Sequence, residues 1–158
     1  MKMRIYLVQH GEAFSKEENP VRPLTEKGRR DTRRVAEFLK NKGIRVDTIF
    51  HSTKLRAKET AEIFASVLHA ELREEKDLEP LADPKIWAEK IENMKEDTMI
   101  VGHLPHLSRF VSQLLCQKRE DIVKFSPGGL VCLEKDEKWR VLFVMPSWLL
   151  DEDTKTTL

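Results

Sequence analysis

Three short segments hold the residues with chemistry to offer: Gln9-His10-Gly11-Glu12, His51-Ser52 with Arg56 one helical turn on, and Gly102-His103. Each directly follows a stretch that reads as a β-strand. If those strands run parallel, their carboxyl ends share one rim, the place where open α/β sheets bind ligands. Two histidines, an arginine and a hydroxyl then converge there. Two of the segments also lead into helices, whose free N–H groups and positive dipole ends favour an anion. That set suits a phosphate. Arg56 can hold two phosphate oxygens as a fork, and helix-end N–H groups with His103 can take others. His10 is then free to act as nucleophile, because a neutral imidazole nitrogen can attack phosphorus and carry the phosphoryl group. Gly11 lets the backbone pass close to the ligand, and a backbone contact near His10 would fix the imidazole tautomer. Singly, each residue has a plain structural explanation, with Ser52 as a helix cap and Arg56 as a solvated helix residue. The coincidence at three strand ends is what argues for a site.

The elements that position these residues follow from periodicity. Ile5–Val8 is a continuous apolar run with a β-branched bias, the mark of a strand covered on both faces. Thr25 caps a helix whose inner stripe is Thr32, Val35, Ala36 and Leu39, and Gly43 stops it. Asp47–His51 reads as a second strand, and Ser52 or Thr53 as the cap of a helix with Ala57, Ala61, Phe64 and Leu68 inward. A short edge strand is expected within Glu71–Leu78. Asp83-Pro84 is an N-cap followed by proline at the first helical position, with Trp87, Ile91 and Met94 facing in. Thr98–Val101 is a further buried strand. The helix after it starts near Pro105 and buries Leu107, Phe110, Val111 and Leu114. Leu130–Glu134 and Arg140–Met145 flank a charged turn and form a hairpin. Alternating strands and helices imply an α/β fold, a three-layer α/β/α sandwich. The hairpin makes the sheet mixed, mostly parallel with one antiparallel strand near the C-terminus.

The 158 residues favour one domain, taken here as 1–150, with 151–158 a polar, disordered tail. Lys+Arg 28 against Asp+Glu 27 argues against a nucleic-acid backbone or an anionic membrane as the main partner. Charged residues make up 35% of the chain, so much of the surface is a mixed-sign solvated layer. Cys116 and Cys132 are too few for a disulfide framework or a cysteine zinc site. The apolar run at the start breaks at Gln9, too short for a signal-peptide core, and a cytoplasmic protein is expected.

The sequence resembles the histidine phosphatase superfamily, the phosphoglycerate-mutase-like fold, and most closely its SixA-type phosphohistidine phosphatase branch. The matching pieces are LVQHGEA (7–13), RPLTEKG (22–28), HSTKLRAKET (51–60) and VGHLPHL (101–107), in the right order through most of the chain. The Ser-x-x-x-Arg-Ala-x-x-Thr element is the most distinctive. The resemblance implies that His10 forms a phosphohistidine intermediate and that Arg56 and His103 line the phosphate pocket. It also implies that neither metal nor other cofactor is used, and that the strand before the last is the antiparallel one. The family signature has arginine immediately before the nucleophile, and here that residue is Gln9. Glutamine still offers an amide donor, and Arg22 is a candidate replacement cation. Larger relatives use a glutamate as general acid. Asp77, Glu79 and Asp83 lie in the corresponding region, with Asp83 better explained as a cap and Glu79 the nominee.

The substrate-binding candidates are therefore Gln9, Gly11, Ser52, Arg22 and Glu79, beside the catalytic set His10, Arg56 and His103. The loops 11–24 and 72–84 are too short to form a capping domain, so the pocket is open to a protein-borne phosphoryl group. An imidazole leaving group also needs less acid assistance than an alcohol. The expected activity is dephosphorylation of phosphohistidine on a protein, releasing inorganic phosphate. Two alternatives stand beside it: a phosphatase for small phosphomonoesters, favoured if Glu79 points into the pocket, and a pseudophosphatase that only binds, favoured by Gln9. His69 suits a helix end, and His51 lies near the rim. Glu12 either orients a pocket residue or faces water. His106 follows His103 at a metal-like spacing without other ligands, and the Pro127-Gly128-Gly129 turn could offer N–H groups to phosphate.

Overall fold

The computed structural model describes residues 2–151; the tail expected at 151–158 lies, beyond Asp151, outside the described residues. Strand β1 (Met3–Gln9) leads to helix α1 (Glu26–Asn41), strand β2 (Thr48–His51) to α2 (Leu55–Leu68), and β3 (Glu71–Glu74) to a 3-10 turn at Lys76–Leu78. Helix α3 (Pro84–Glu92), β4 (Thr98–Gly102), α4 (His106–Leu114) and the hairpin β5 (Leu130–Lys135)–β6 (Trp139–Met145) follow. The strands form one sheet in the order β3-β2-β4-β1-β5-β6. β1, β2, β3 and β4 pair in parallel. β5 is antiparallel to both its neighbours, so it alone runs against the rest. The mixed, mostly parallel sheet is as expected.

Side chains alternate across a strand, and β1 shows how this builds three layers. Ile5 and Leu7 pack on one face with Trp87 and Ile91 of α3 and Phe110 of α4. Tyr6 and Val8 pack on the other with Val35 and Leu39 of α1 and Phe64 of α2. All these side chains are at most 2% exposed, which explains the unbroken apolar run. The edge strand β3 is short and mostly polar, Glu-Leu-Arg-Glu, which blunts its unpaired edge.

The helix signals also operate as local chemistry. Thr25 accepts a hydrogen bond from the Gly28 N–H and starts α1, and Gly43 takes φ +73° just past its end. Asp83 caps α3 ahead of Pro84. The second helix differs from the reading above: its N-cap is Lys54, without a side-chain capping bond. Neither Ser52 nor Thr53 caps it, because both hydroxyls are directed elsewhere on the rim.

Register decides where the site sits. Gln9 lies opposite Gly102 in the β1–β4 pair, and His51 lies opposite Val101 in the β2–β4 pair. The three strands therefore end level, and the next residues, His10, Ser52 and His103, emerge side by side. β4 lies between β2 and β1, which puts His103 between Ser52 and His10.

Candidate active site

His10 is fixed first by its backbone. Its N–H donates to the Gly102 carbonyl at 3.0 Å, and the Gly128 N–H donates to the carbonyls of Gln9 (2.9 Å) and His10 (3.3 Å). The glycine turn therefore braces the nucleophile loop: the Gly128 N–H is occupied there, and the Gly129 N–H donates to the Ser126 carbonyl. Its expected role as a direct phosphate donor is corrected accordingly. The ring of His10 is set by its Nδ1, 2.8 Å from the Gly11 carbonyl oxygen. A carbonyl only accepts, so Nδ1 carries the proton and Nε2 keeps a free lone pair.

Gly11 itself is tightly enclosed. A Cβ there would meet Thr32 Oγ1 at 2.8 Å and the Gly28 carbonyl at 3.1 Å, so the tight fit is to α1. Its N–H donates to Thr60 Oγ1 at 3.0 Å, and the Thr60 hydroxyl donates to the Arg56 carbonyl at 2.7 Å. Thr60 thus couples the loop after β1 to the first turn of α2. It carries no role in the sequence reading, although it closes the Ser-x-x-x-Arg-Ala-x-x-Thr element. Its position one helical turn from Arg56 was the available signal.

His103 lies beside His10, their ring centroids 5.1 Å apart at an interplanar angle of 56°. Its Nε2 is 2.7 Å from Ser52 Oγ, which also accepts the Lys54 N–H at 3.2 Å. The Ser52 proton then goes to His103 Nε2, leaving an Nδ1–H that is enclosed and unpartnered. Arg56 likewise has a buried Nε with no partner. Ser52 is thus a support for His103.

Burial pushes the His10 pKa down to about 4 against the upward pull of the Gly11 carbonyl, and Arg56 and Arg22 push the same way. Burial is also the main cause that lowers His103 to about 3, helped by His10, Arg56 and Lys54. Arg56 is lowered by burial and then by Arg22. Both rings are therefore neutral at pH 7, in a pocket crowded with positive charge and lacking an anion to balance it.

The remaining candidates fall as follows. Arg22 stands close enough for its charge to act on both His10 and Arg56. It holds a left-handed backbone, φ 51°, and its Nε donates to the Phe14 carbonyl at 2.8 Å. Gln9 is half-buried, with Oε1 enclosed and unpartnered. Glu79 reaches the same rim, but its carboxylate accepts the Thr53 hydroxyl rather than contacting either histidine. Glu12 accepts the Thr25 hydroxyl at 2.6 Å and so ties the loop to the start of α1. His51 is buried, with Nδ1 2.9 Å from the Ser52 carbonyl. His69 ends α2 in a left-handed conformation. His106 points inward and is fully enclosed. Among the described residues no group of three or more His, Cys, Asp or Glu side chains is placed to hold a metal ion.

The family model of the histidine phosphatase superfamily (branch 1) matches residues 5–82, the stretch that holds His10, Arg22, Ser52, Arg56 and Glu79. The chain belongs to the histidine phosphatase superfamily. His103 completes the pocket from beyond that match. An uncharacterized protein of Picosynechococcus sp. is 29% identical to this histidine phosphatase superfamily chain over 94% of it and 99% of the relative. Phosphohistidine phosphatase SixA of Escherichia coli is 25% identical over 71% of this chain and 74% of its own. The solved structure of the protein histidine phosphatase SixA complexed with tungstate superimposes with a TM-score of 0.83 at 22% identity, covering 94% of this chain and all of that one. Among the described residues, no helix of this superfamily member is long and apolar enough to cross a membrane.

Proposed function

We propose that this phosphatase hydrolyses phosphohistidine on a protein through a phosphohistidine intermediate at His10. The observation that carries the reading is the His10 ring: neutral, with Nδ1–H held by Gly11 and Nε2 free, beside His103 and Arg56. The phosphoryl group occupies the space where unpartnered donors gather. Arg56 and the His103 Nδ1–H take its oxygens, with the N-terminus of α2 adding its dipole. These cations and dipoles stand in the place of a metal ion or other cofactor. Gln9 presents its amide N–H end, since Oε1 is enclosed, and Arg22 supplies the positive charge that arginine would have given at position 9.

In the first step His10 Nε2 forms a bond to phosphorus as the substrate P–N bond breaks. The substrate imidazole departs with a proton on the released nitrogen. In the second, water attacks the phosphorus, the His10–phosphorus bond breaks, and inorganic phosphate leaves with His10 neutral again. The dianion also draws the depressed histidine pKa values upward, so His103 donates more strongly once phosphate is bound.

Three features favour a protein-borne phosphohistidine. The loops around the pocket are short. Glu79, the candidate general acid, is held by Thr53. The relative from Escherichia coli is a phosphohistidine phosphatase, and the SixA structure holds tungstate, a tetrahedral oxyanion of phosphate shape. Cys116 is exposed and Cys132 buried, both as free thiols, which suits a reducing cytoplasm.

The test compares wild type and His10→Ala on a histidine-phosphorylated protein and on p-nitrophenyl phosphate. The proposal expects a higher wild-type kcat/KM on the phosphoprotein and no turnover by the variant. Wild-type preference for the small ester, or turnover by His10→Ala, overturns it.

A further inference from the structure

Several large apolar side chains stand exposed among the described residues, and they fall into two groups. One lies along the edge strand β6 and the turn after it. The other consists of Val21 (64% exposed), Leu81 (81%) and Leu104 (40%). This second group is dispersed in sequence but not in place. Val21 precedes Arg22, whose charge acts on His10 and Arg56. Leu104 follows His103. Leu81 lies two residues beyond Glu79, which is bonded to Thr53 on the rim. Each of the three therefore projects from a different loop at the carboxyl end of the sheet, where the pocket opens. Leu81 also lines a groove of about 510 Å³ with Lys54, Lys76 and Glu79. Lys54 is near enough for its charge to act on His103, which makes the groove continuous with the pocket.

We infer that Val21, Leu81 and Leu104 form a docking surface for the aliphatic side chains that flank a phosphohistidine on a protein partner. This rests on the function proposed above and names what that substrate must present. A phosphoryl group can reach His10 Nε2 only from the open side of the rim. When the phosphohistidine belongs to a protein, its neighbouring residues come to rest on these three loops. Exposed valine and leucine there gain nothing from water but gain by burial against other aliphatic groups. A free phosphohistidine or a small ester fills the pocket without touching them, so the surface separates a protein substrate from a small one.

The experiment uses the full chain and three probes. Two are versions of one stable helical bundle with a single surface histidine phosphorylated by phosphoramidate, flanked one helical turn away on each side by leucine or by serine. The third is phosphorylated N-acetylhistidine. Wild type is expected to favour the leucine-flanked probe over the serine-flanked one by about tenfold in kcat/KM, mainly through KM. In a Val21→Ser, Leu81→Ser, Leu104→Ser variant that preference falls to within about twofold, while turnover of phosphorylated N-acetylhistidine stays within about twofold of wild type. An unchanged preference in the variant overturns the inference alone, as does an equal loss on all three probes, which marks a folding defect. If wild type hydrolyses none of the phosphohistidine probes but hydrolyses p-nitrophenyl phosphate through His10, the proposed function fails and the docking surface with it.

Discussion

Thr60→Val separates the scaffold of the pocket from its chemistry. Thr60 is fully buried, and valine replaces its hydroxyl with a methyl group of similar size. Two hydrogen bonds disappear: the one accepted from the Gly11 N–H at 3.0 Å and the one donated to the Arg56 carbonyl at 2.7 Å. The Arg56 carbonyl keeps its place in the ladder of α2, so its loss is small. The Gly11 N–H is buried and has no other partner, and an orphaned buried donor costs about 1–3 kcal/mol. For a domain of this size each kcal/mol lowers Tm by about 2–4 °C, so thermal unfolding should shift down by roughly 2–12 °C. The Gly11 carbonyl also holds the His10 ring, so a shifted loop misplaces Nε2 relative to Arg56. Errors of this kind near 1 Å cost up to about a hundredfold in rate. A fall of about 10- to 100-fold in kcat with KM within about twofold is expected from steady-state assays on a phosphohistidine protein. Thr60→Ser retains the hydroxyl and should restore most of kcat. A Thr60→Val enzyme with wild-type kcat refutes the reasoning, and so does a Thr60→Ser enzyme that falls as far as the valine variant.

Two further predictions concern charge. Gln9→Arg replaces a neutral donor worth about 1 kcal/mol with a charged one worth about 1.5–3. A gain of about 1–2 kcal/mol felt in the transition state raises kcat roughly five- to thirtyfold; an unchanged kcat would mean that Arg22 already supplies the full effect. His106 is enclosed with neither ring nitrogen bonded, and burial lowers its pKa to about 4 against the pull of Asp77 and Asp83. Because its folded pKa lies below the unfolded value near 6.5, the unfolded chain binds more protons between these values. The stability this contributes is complete above about pH 6.5 and is lost as pH falls towards 4. His106→Leu should therefore shrink the drop in urea midpoint between pH 6.5 and 4.5, leaving the part due to His10 and His103, whose pKa values are lowered in the same direction. A drop as large as in wild type would show that His106 titrates normally.

The fold was legible where a local pattern carries its own physics. The apolar runs of β1 and β4 end at Gln9 and Gly102, so the reactive residues mark the strand ends in the sequence itself. Thr25 and Asp83-Pro84 announce their helices because a cap is a contact among neighbours. What escaped depends on partners distant along the chain. Ser52 has the form of an N-cap, but its hydroxyl serves His103, 51 residues away, and α2 starts later. Thr60 reads as one more helix residue until Gly11, 49 residues away, is placed against it. The Gly128 N–H has the look of a free phosphate donor because nothing near it in sequence reveals that Gln9 and His10 use it. Glu79 was found at the rim as a candidate acid, and its engagement by Thr53 appeared only with the rim assembled.

Rapid quenching during turnover of a ³²P-labelled phosphohistidine protein, followed by mapping of the label on this chain, tests the central claim most directly. The account predicts an acid-labile, alkali-stable phosphoryl group on His10 that appears and decays at rates compatible with kcat, and that is missing from His10→Ala. Turnover without a labelled enzyme, or label residing on any other residue, would contradict it.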